Sequence, residues 1–292
     1  LRSSGHPQKA MYATIATVAI NTILAPIFIF MFDWGIRGAA IATVSAQVIA
    51  LLWQLKQFNN ANELLHFRRG IFRLKRKIVF DSLAIGMSPF LMNLAACLIV
   101  ILINQGLKKY GGDLAIGAFG IVNRLVFIVV MIVMGLNQGM QPIAGYNFGA
   151  KLYDRVNKVL KLTIIYATCV TTFGFLVGML APNLVVGIFT SDAELTELSA
   201  TGLRITVMFF PIIGFQMVTS NFFQSIGMAG KAIFLSLTRQ MLILLPCLLI
   251  LPHFFGVAGV WYSMPVSDLL ASLIALVMLV YQFRKFKTAA AH

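Results

Sequence analysis

The sequence predicts an all-α integral membrane protein, and three observations carry that prediction. Apolar residues make up 59% of the 292 and charged residues only 11%, with a mean hydropathy of +0.88. A soluble domain carries about 25% charged residues. Eight apolar runs can be read along the chain, each near the roughly 20 residues that cross a hydrocarbon core about 30 Å thick. A β-barrel is excluded, because its strands are about ten residues long and alternate in polarity. Finally, the pattern that opens the chain recurs at its end.

Taken in order, the first run covers 11–32. It follows Gly5-His6-Pro7-Gln8-Lys9-Ala10 and leads to Trp34-Gly35-Ile36-Arg37-Gly38-Ala39, which opens the second run at 36–57. Residues 66–77 hold six Lys and Arg and no acid, the composition of a headgroup-facing linker. Runs at 80–107 and 114–143 are separated by the turn signal Lys109-Tyr110-Gly111-Gly112-Asp113, and Tyr146-Asn147-Phe148-Gly149 reads as the next turn. A run at 159–189 precedes one at 200–225, where Pro211 predicts a kink. The last two, 232–252 and 257–283, are introduced by Gly227-Met228-Ala229-Gly230-Lys231-Ala232 and Phe255-Gly256-Val257-Ala258-Gly259-Val260. These repeat the opening motifs about 222 residues later, so a two-helix unit ends each of two similar lobes. The expected organisation is 1–60 as the last two helices of an N-terminal lobe, 61–79 as a basic cytoplasmic linker and 80–287 as a six-helix C-terminal lobe. Because Leu1 lies in a polar segment, the chain is expected to be N-terminally incomplete.

The net charge of +14 raises the question of nucleic acid, and the positions of the charges answer it. One set of alternating loops carries Arg2, Lys9, Lys56, Arg68, Arg69, Arg73, Lys75, Arg76, Lys77, Lys151, Arg155, Lys158, Lys161, Lys231, Arg284, Lys285 and Lys287, 17 in all. The other set carries Arg37, Lys108 and Lys109, with Asp192, Glu194 and Glu197. This is the positive-inside asymmetry, and it places both ends of the chain in the cytoplasm. The basic clusters flank membrane spans without interleaved aromatic platforms, so no nucleic-acid partner is expected. Cys97, Cys169 and Cys247 lie in apolar runs without metal-like spacing and read as small core residues. His6, His66, His253 and His292 are scattered, and no HExxH, Gly-x-Ser-x-Gly or Walker A pattern occurs. Neither an enzyme nor a cofactor is expected, and any pumping would draw on an ion gradient.

Polar side chains inside a membrane usually line a cavity or a helix contact. Asp268 is the only acid deep within an expected span, one turn from Ser272. It reads either as a cation, proton or basic-drug site, or as a packing residue satisfied by a neighbouring Ser or Arg. Asn123, Asn137 and Gln141 fall along one helical stripe flanked by Arg124 and Gln138, which suits a water-filled cavity or interhelical hydrogen bonds. Asn93 and Asn104 share a face of the preceding helix, and Gln216, Ser220 and Asn221 form a polar patch after Pro211. Arg204 and Arg239, near span ends, read as snorkelling residues. Amides spread over several helices of one bundle suit varied ligands better than one charged substrate.

The run Gly135-Leu136-Asn137-Gln138-Gly139-Met140-Gln141-Pro142-Ile143-Ala144-Gly145-Tyr146-Asn147-Phe148-Gly149-Ala150 resembles the end of the eighth helix of multidrug and toxic compound extrusion (MATE) transporters. Phe223-Gln224-Ser225-Ile226-Gly227, with Arg239-Gln240 and Pro246, is similar to their tenth and eleventh helices. The resemblance spans essentially the whole chain. It implies twelve helices in two lobes, of which this chain supplies the fifth, the sixth and all six of the C-terminal lobe. It also implies export of organic cations and related drugs in exchange for sodium ions or protons. Some members carry a coupling carboxylate on the first helix, which is missing here; others use acids on the seventh and tenth, where this sequence offers Asn93 and Phe215-Gln216. Asp268 is the local acidic substitute.

The reading is an ion-coupled multidrug antiporter of the bacterial inner membrane, monomeric when complete. The expected cavity is formed by Asn93, Asn123, Arg124, Asn137, Gln138, Gln141, Gln216, Asn221 and Asp268. A lipid-linked oligosaccharide flippase should line its cavity with several Arg or Lys, and Arg124 alone is a candidate here. A non-transporting membrane scaffold, or a half-protein that pairs with another subunit, is the third reading.

Overall fold

The computed structural model describes residues 7–59 and 75–290. Most of the basic linker, with Arg68, Arg69 and Arg73, and the motif residues Gly5 and His6 lie outside the described residues. The chain divides into two compact units, Leu1–Val79 and Phe80–His292. No strand occurs among the described residues.

In the first unit α1 (Pro7–Pro26) continues into a π-helical turn, Ile27–Met31, and α2 (Gly35–Phe58) returns against it. Phe28, Phe32 and Trp34 cluster at the turn. Gly35 has φ +51, a left-handed conformation that glycine adopts without steric penalty. Gly38 brings α2 so close to the preceding turn that a Cβ there would stand 2.5 Å from the Phe28 carbonyl oxygen. Asn21 Nδ2 donates to Thr43 Oγ1 across the pair at 3.0 Å.

The second unit opens with α3 (Arg76–Gly149), whose helical path breaks at Gly112 (φ 68, ψ −162). Its apolar part, Phe90–Gly149, spans 60 residues; at 1.5 Å per residue that is about 90 Å, some three bilayer cores. The break at Gly112 therefore separates two helices, where the Gly-Gly turn signal predicts it. The second expected turn is displaced. Tyr146 to Gly149 stay helical, Asn147 Nδ2 donating to the Ile143 carbonyl at 2.8 Å, and the chain turns at 150–152 with Lys151 at φ 59.

Next come α4 (Tyr153–Leu180) and the short α5 (Pro182–Gly187), where proline cannot continue the hydrogen-bond ladder. The Asp192 carboxylate caps α6 (Ala193–Val207), accepting from the Glu194 and Leu195 amides at 2.9 and 3.1 Å. A bend of 55° at 208–209, just before Pro211, separates α6 from α7 (Phe210–Ser225). The next crossing is α8 (Ala229–Leu237), a π-helical segment Thr238–Leu244 and α9 (Leu245–Phe255). Gly256 (φ 56) turns the chain into α10 (Val257–Ala290).

Two apolar clusters hold this unit together, one around Leu107, Phe119, Val122, Leu203 and Trp261, the other around Val133, Met140, Leu160, Phe222 and Phe223. Lipid is as apolar as leucine, so helices in a bilayer associate through close packing at small residues. Gly214 on α7 fits against α4, where a Cβ would meet Thr171 Oγ1 at 2.8 Å and the Ala167 carbonyl oxygen at 2.9 Å. Large apolar side chains, among them Phe127, Phe173, Leu249 and Val277, cover the outside. Cys97 and Cys169 lie exposed on that outside and Cys247 is half-buried, which corrects their reading as core residues: their helices present one face to lipid. Among the described residues six helices are long and apolar enough to cross a membrane, and the bent pair α6–α7 forms a further crossing if taken as one span.

Candidate functional site

Asp268 sits about a third of the way along α10 and is 4% exposed. An isolated ionised carboxylate in such a place costs many kcal/mol, so a buried acid needs a partner. That partner is Arg239, whose Nε donates to Asp268 Oδ1 at 2.7 Å. Arg239 belongs to the π-helical segment 238–244, where five-residue turns change the direction side chains take and which often mark functional positions. Its side chain is 32% exposed against 5% for Asp268. The snorkelling expected of Arg239 is thus overturned, because a carboxylate on the facing helix lies within direct reach. Arg204 borders a polar pocket with Glu197 and Asn183 at the α5–α6 corner.

The ion pair opens into a cavity of about 220 Å³ inside the second unit. The two halves of α3 contribute Val100, Ile103, Phe119 and Asn123, the α6–α7 bend contributes Thr206 and Phe210, and α10 contributes Met264 and Ser267. Thr206 Oγ1 donates to the Gly202 carbonyl and Ser267 Oγ to the Met264 carbonyl, both at 2.8 Å, so each hydroxyl oxygen remains an acceptor toward the cavity. Arg239 and Asp268 are the charged lining residues. The cavity is neutral while they are paired, walled by apolar side chains and equipped with an amide and two hydroxyls. Such a site suits small amphiphilic molecules.

Of the residues expected to share a cavity, the structure brings Asn123 and Asp268 together here. Gln141 and Asn221 meet elsewhere, where Gln141 Nε2 donates to Asn221 Oδ1 at 3.4 Å and Asn221 Nδ2 to the Met217 carbonyl at 2.9 Å. Asn137 is 2% exposed, and neither amide atom has a hydrogen-bond partner among the described residues. Gln216 is buried, while Asn93, Arg124 and Gln138 are exposed; none of these four is among the residues lining the cavity. Sequence reasoning missed Arg239 as a site residue. The signal was available in the repeat, since the positions 222 and 221 residues before Arg239 and Asp268 are Thr17 and Gln47: two opposite charges appear together in one copy.

Comparison with known proteins places this geometry in a family. Residues 84–249, more than half of the chain, match the MatE family model. The multidrug export protein MepA of Staphylococcus aureus (strain MSSA476) is 29% identical over 287 residues, covering 97% of this chain and 62% of that protein. MepA of Staphylococcus saprophyticus is 26% identical with the same coverage. Among solved structures, an outward-facing multidrug resistance MATE family transporter of the MOP superfamily superposes with a TM-score of 0.87 at 22% identity, over 96% of this chain and 63% of that one. A mutant of the Vibrio cholerae MATE transporter VcmN gives 0.85 at 23% identity, over 97% and 64%. The chain thus spans under two thirds of the length of these relatives. The fold is that of MATE transporters, and the chain belongs to the MatE family of multi-pass membrane transporters.

Proposed function

We propose that the protein is a secondary active multidrug exporter that exchanges organic cations or related drug-like molecules for sodium ions or protons. The cavity beside Asp268 carries this reading. It joins apolar walls to a single buried acid, so a cation from solution and a cationic drug compete for one carboxylate, and competition for one group is the requirement for exchange. The relatives, named as multidrug export proteins and MATE transporters, support the same direction. With the long helix counted as two crossings and α6–α7 as one, the described residues give eight crossings. We read them as two helices of one lobe and six of the other in a twelve-helix carrier of the bacterial inner membrane, working as a monomer with both ends of this chain cytoplasmic. No cofactor takes part beyond the coupling ion. The flippase alternative has less support, because a pyrophosphate calls for several basic groups, whereas Arg124 is not among the cavity-lining residues and Arg239, which is, already carries Asp268 as its counter-charge.

The test is efflux of a cationic dye from proteoliposomes containing the purified protein, under an imposed sodium or proton gradient. Gradient-dependent efflux that Asp268→Asn abolishes is the expected result. Efflux unchanged in Asp268→Asn would remove the acid from the mechanism, and no efflux under either gradient would remove the exporter.

A further inference from the structure

We propose that Arg239 is a tethered cation that sets ion selectivity, so that Asp268 accepts a proton and excludes sodium. The inference rests on the exchange reading above and goes beyond it by choosing between the two coupling ions.

The fold does not need this charge pair. The two repeated helix pairs share the left-handed glycine at the turn, Gly35 and Gly256, and the glycine three residues later that touches the preceding helix, Gly38 and Gly259. The first pair packs in this way with Thr17 and Gln47 where the last has Arg239 and Asp268. Its π turn also lies at its end, 27–31, whereas the last pair has its π segment at 238–244, around Arg239. Because a buried ion pair is weak evidence for stability, a pair absent from the sister copy points to function.

A guanidinium also limits what can bind beside it. A guanidinium is a permanent cation, and the Nε of Arg239 already occupies Asp268 Oδ1. A sodium ion on this carboxylate would stand roughly 4 Å from that positive charge and would need a shell of several oxygens. The cavity offers Asn123, Thr206 and Ser267 for such a shell. A proton needs no shell. It can add to Oδ2 while Arg239 Nε goes on donating to Oδ1, so the pair's geometry survives neutralisation of the acid. Of the elements around Asp268, α3 presents Asn123 and apolar groups, the α6–α7 bend Thr206, the π segment Arg239 and α10 itself Ser267; none adds another titratable group. Protonation leaves the cavity with one positive charge, which repels a cationic drug, so proton and drug exclude each other as exchange demands.

The test is binding of radioactive sodium to the purified protein at fixed pH, for wild type, Arg239→Gln, Asp268→Asn and the double variant, with thermal melting to check folding. Wild type should show no saturable sodium site that depends on Asp268. Arg239→Gln should gain one, tighter by roughly a hundredfold or more, and the double variant should lose it again. A sodium site in wild type that Asp268→Asn removes, or a folded Arg239→Gln variant that gains none, overturns the proposal. If Arg239→Gln does not fold, wild-type proteoliposomes decide: drug-driven proton release unchanged when choline replaces sodium supports the proposal, and its loss overturns it. Sodium binding is read without transport, so a failure of dye efflux alone bears on the exporter reading and not on Arg239.

Discussion

The helix pairs 7–58 and 229–290 are two copies of one unit, and they differ where it matters. Both turn at a left-handed glycine, and both bring a second glycine onto backbone, Gly38 onto the Phe28 carbonyl and Gly259 onto the Leu251 carbonyl at 2.5 and 2.3 Å for an added Cβ. Across the first pair the polar tie is a neutral hydrogen bond, Asn21 to Thr43. Across the last, besides the hydrogen bond that Lys231 Nζ donates to Gln282 Oε1, there is an ion pair facing a cavity. The shared features are therefore those the packing requires, and the unshared charges belong to the chemistry.

That division can be broken by experiment. The largest expected effect is on transport: Asp268→Asn should reduce gradient-driven efflux to the level of empty liposomes, while any change in folded yield stays small because Arg239 Nε can still donate to the amide oxygen. Next in size is stability. Arg239→Ala leaves Asp268 buried without its partner and should cost about 3–5 kcal/mol, as broken buried pairs do. The double exchange Arg239→Thr with Asp268→Gln, which installs the residues of the sister copy, should recover most of that in a chemical-denaturation or thermal-melting assay and yet restore no transport. If the double variant is as unstable as the single one, the ion pair is structural and the comparison fails.

Smaller losses are expected at the features common to both copies. Gly259→Ala and Gly38→Ala should each destabilise by about 1–3 kcal/mol through overpacking, with Gly259 the more sensitive because its carbonyl neighbour is closer. Melting temperatures of the two variants, compared in one detergent, check the order. Asn21→Ala should cost least, about 0.6 kcal/mol, the typical value of an interhelical hydrogen bond in a membrane protein.

Most of the helices were legible in the sequence because a bilayer imposes a length on every apolar run. The Gly-Gly signal located the break at Gly112, and Pro211 located the bend at 208–209 to within a turn. The turn expected at Tyr146 to Gly149 came a few residues late, since Asn147 can satisfy a helix carbonyl as readily as it can open a turn. The site was only half legible. Asn123 and Asp268 stood out as polar groups in apolar runs, but the 3.6-residue period placed Asn123, Asn137 and Gln141 on one stripe without saying which neighbours each would face. Asn123 reaches the cavity, Gln141 meets Asn221, and Asn137 is buried. Arg239 was hidden for a further reason: it lies in a π segment, whose wider turns follow no regular period.

The measurement that bears most directly on the account is proton movement driven by a drug gradient in sodium-free proteoliposomes, followed with a pH-sensitive dye for wild type and Asp268→Asn side by side. The account predicts proton flux opposite to the drug in wild type and none in the variant. Equal flux in both, or flux in neither until sodium is added, would contradict it.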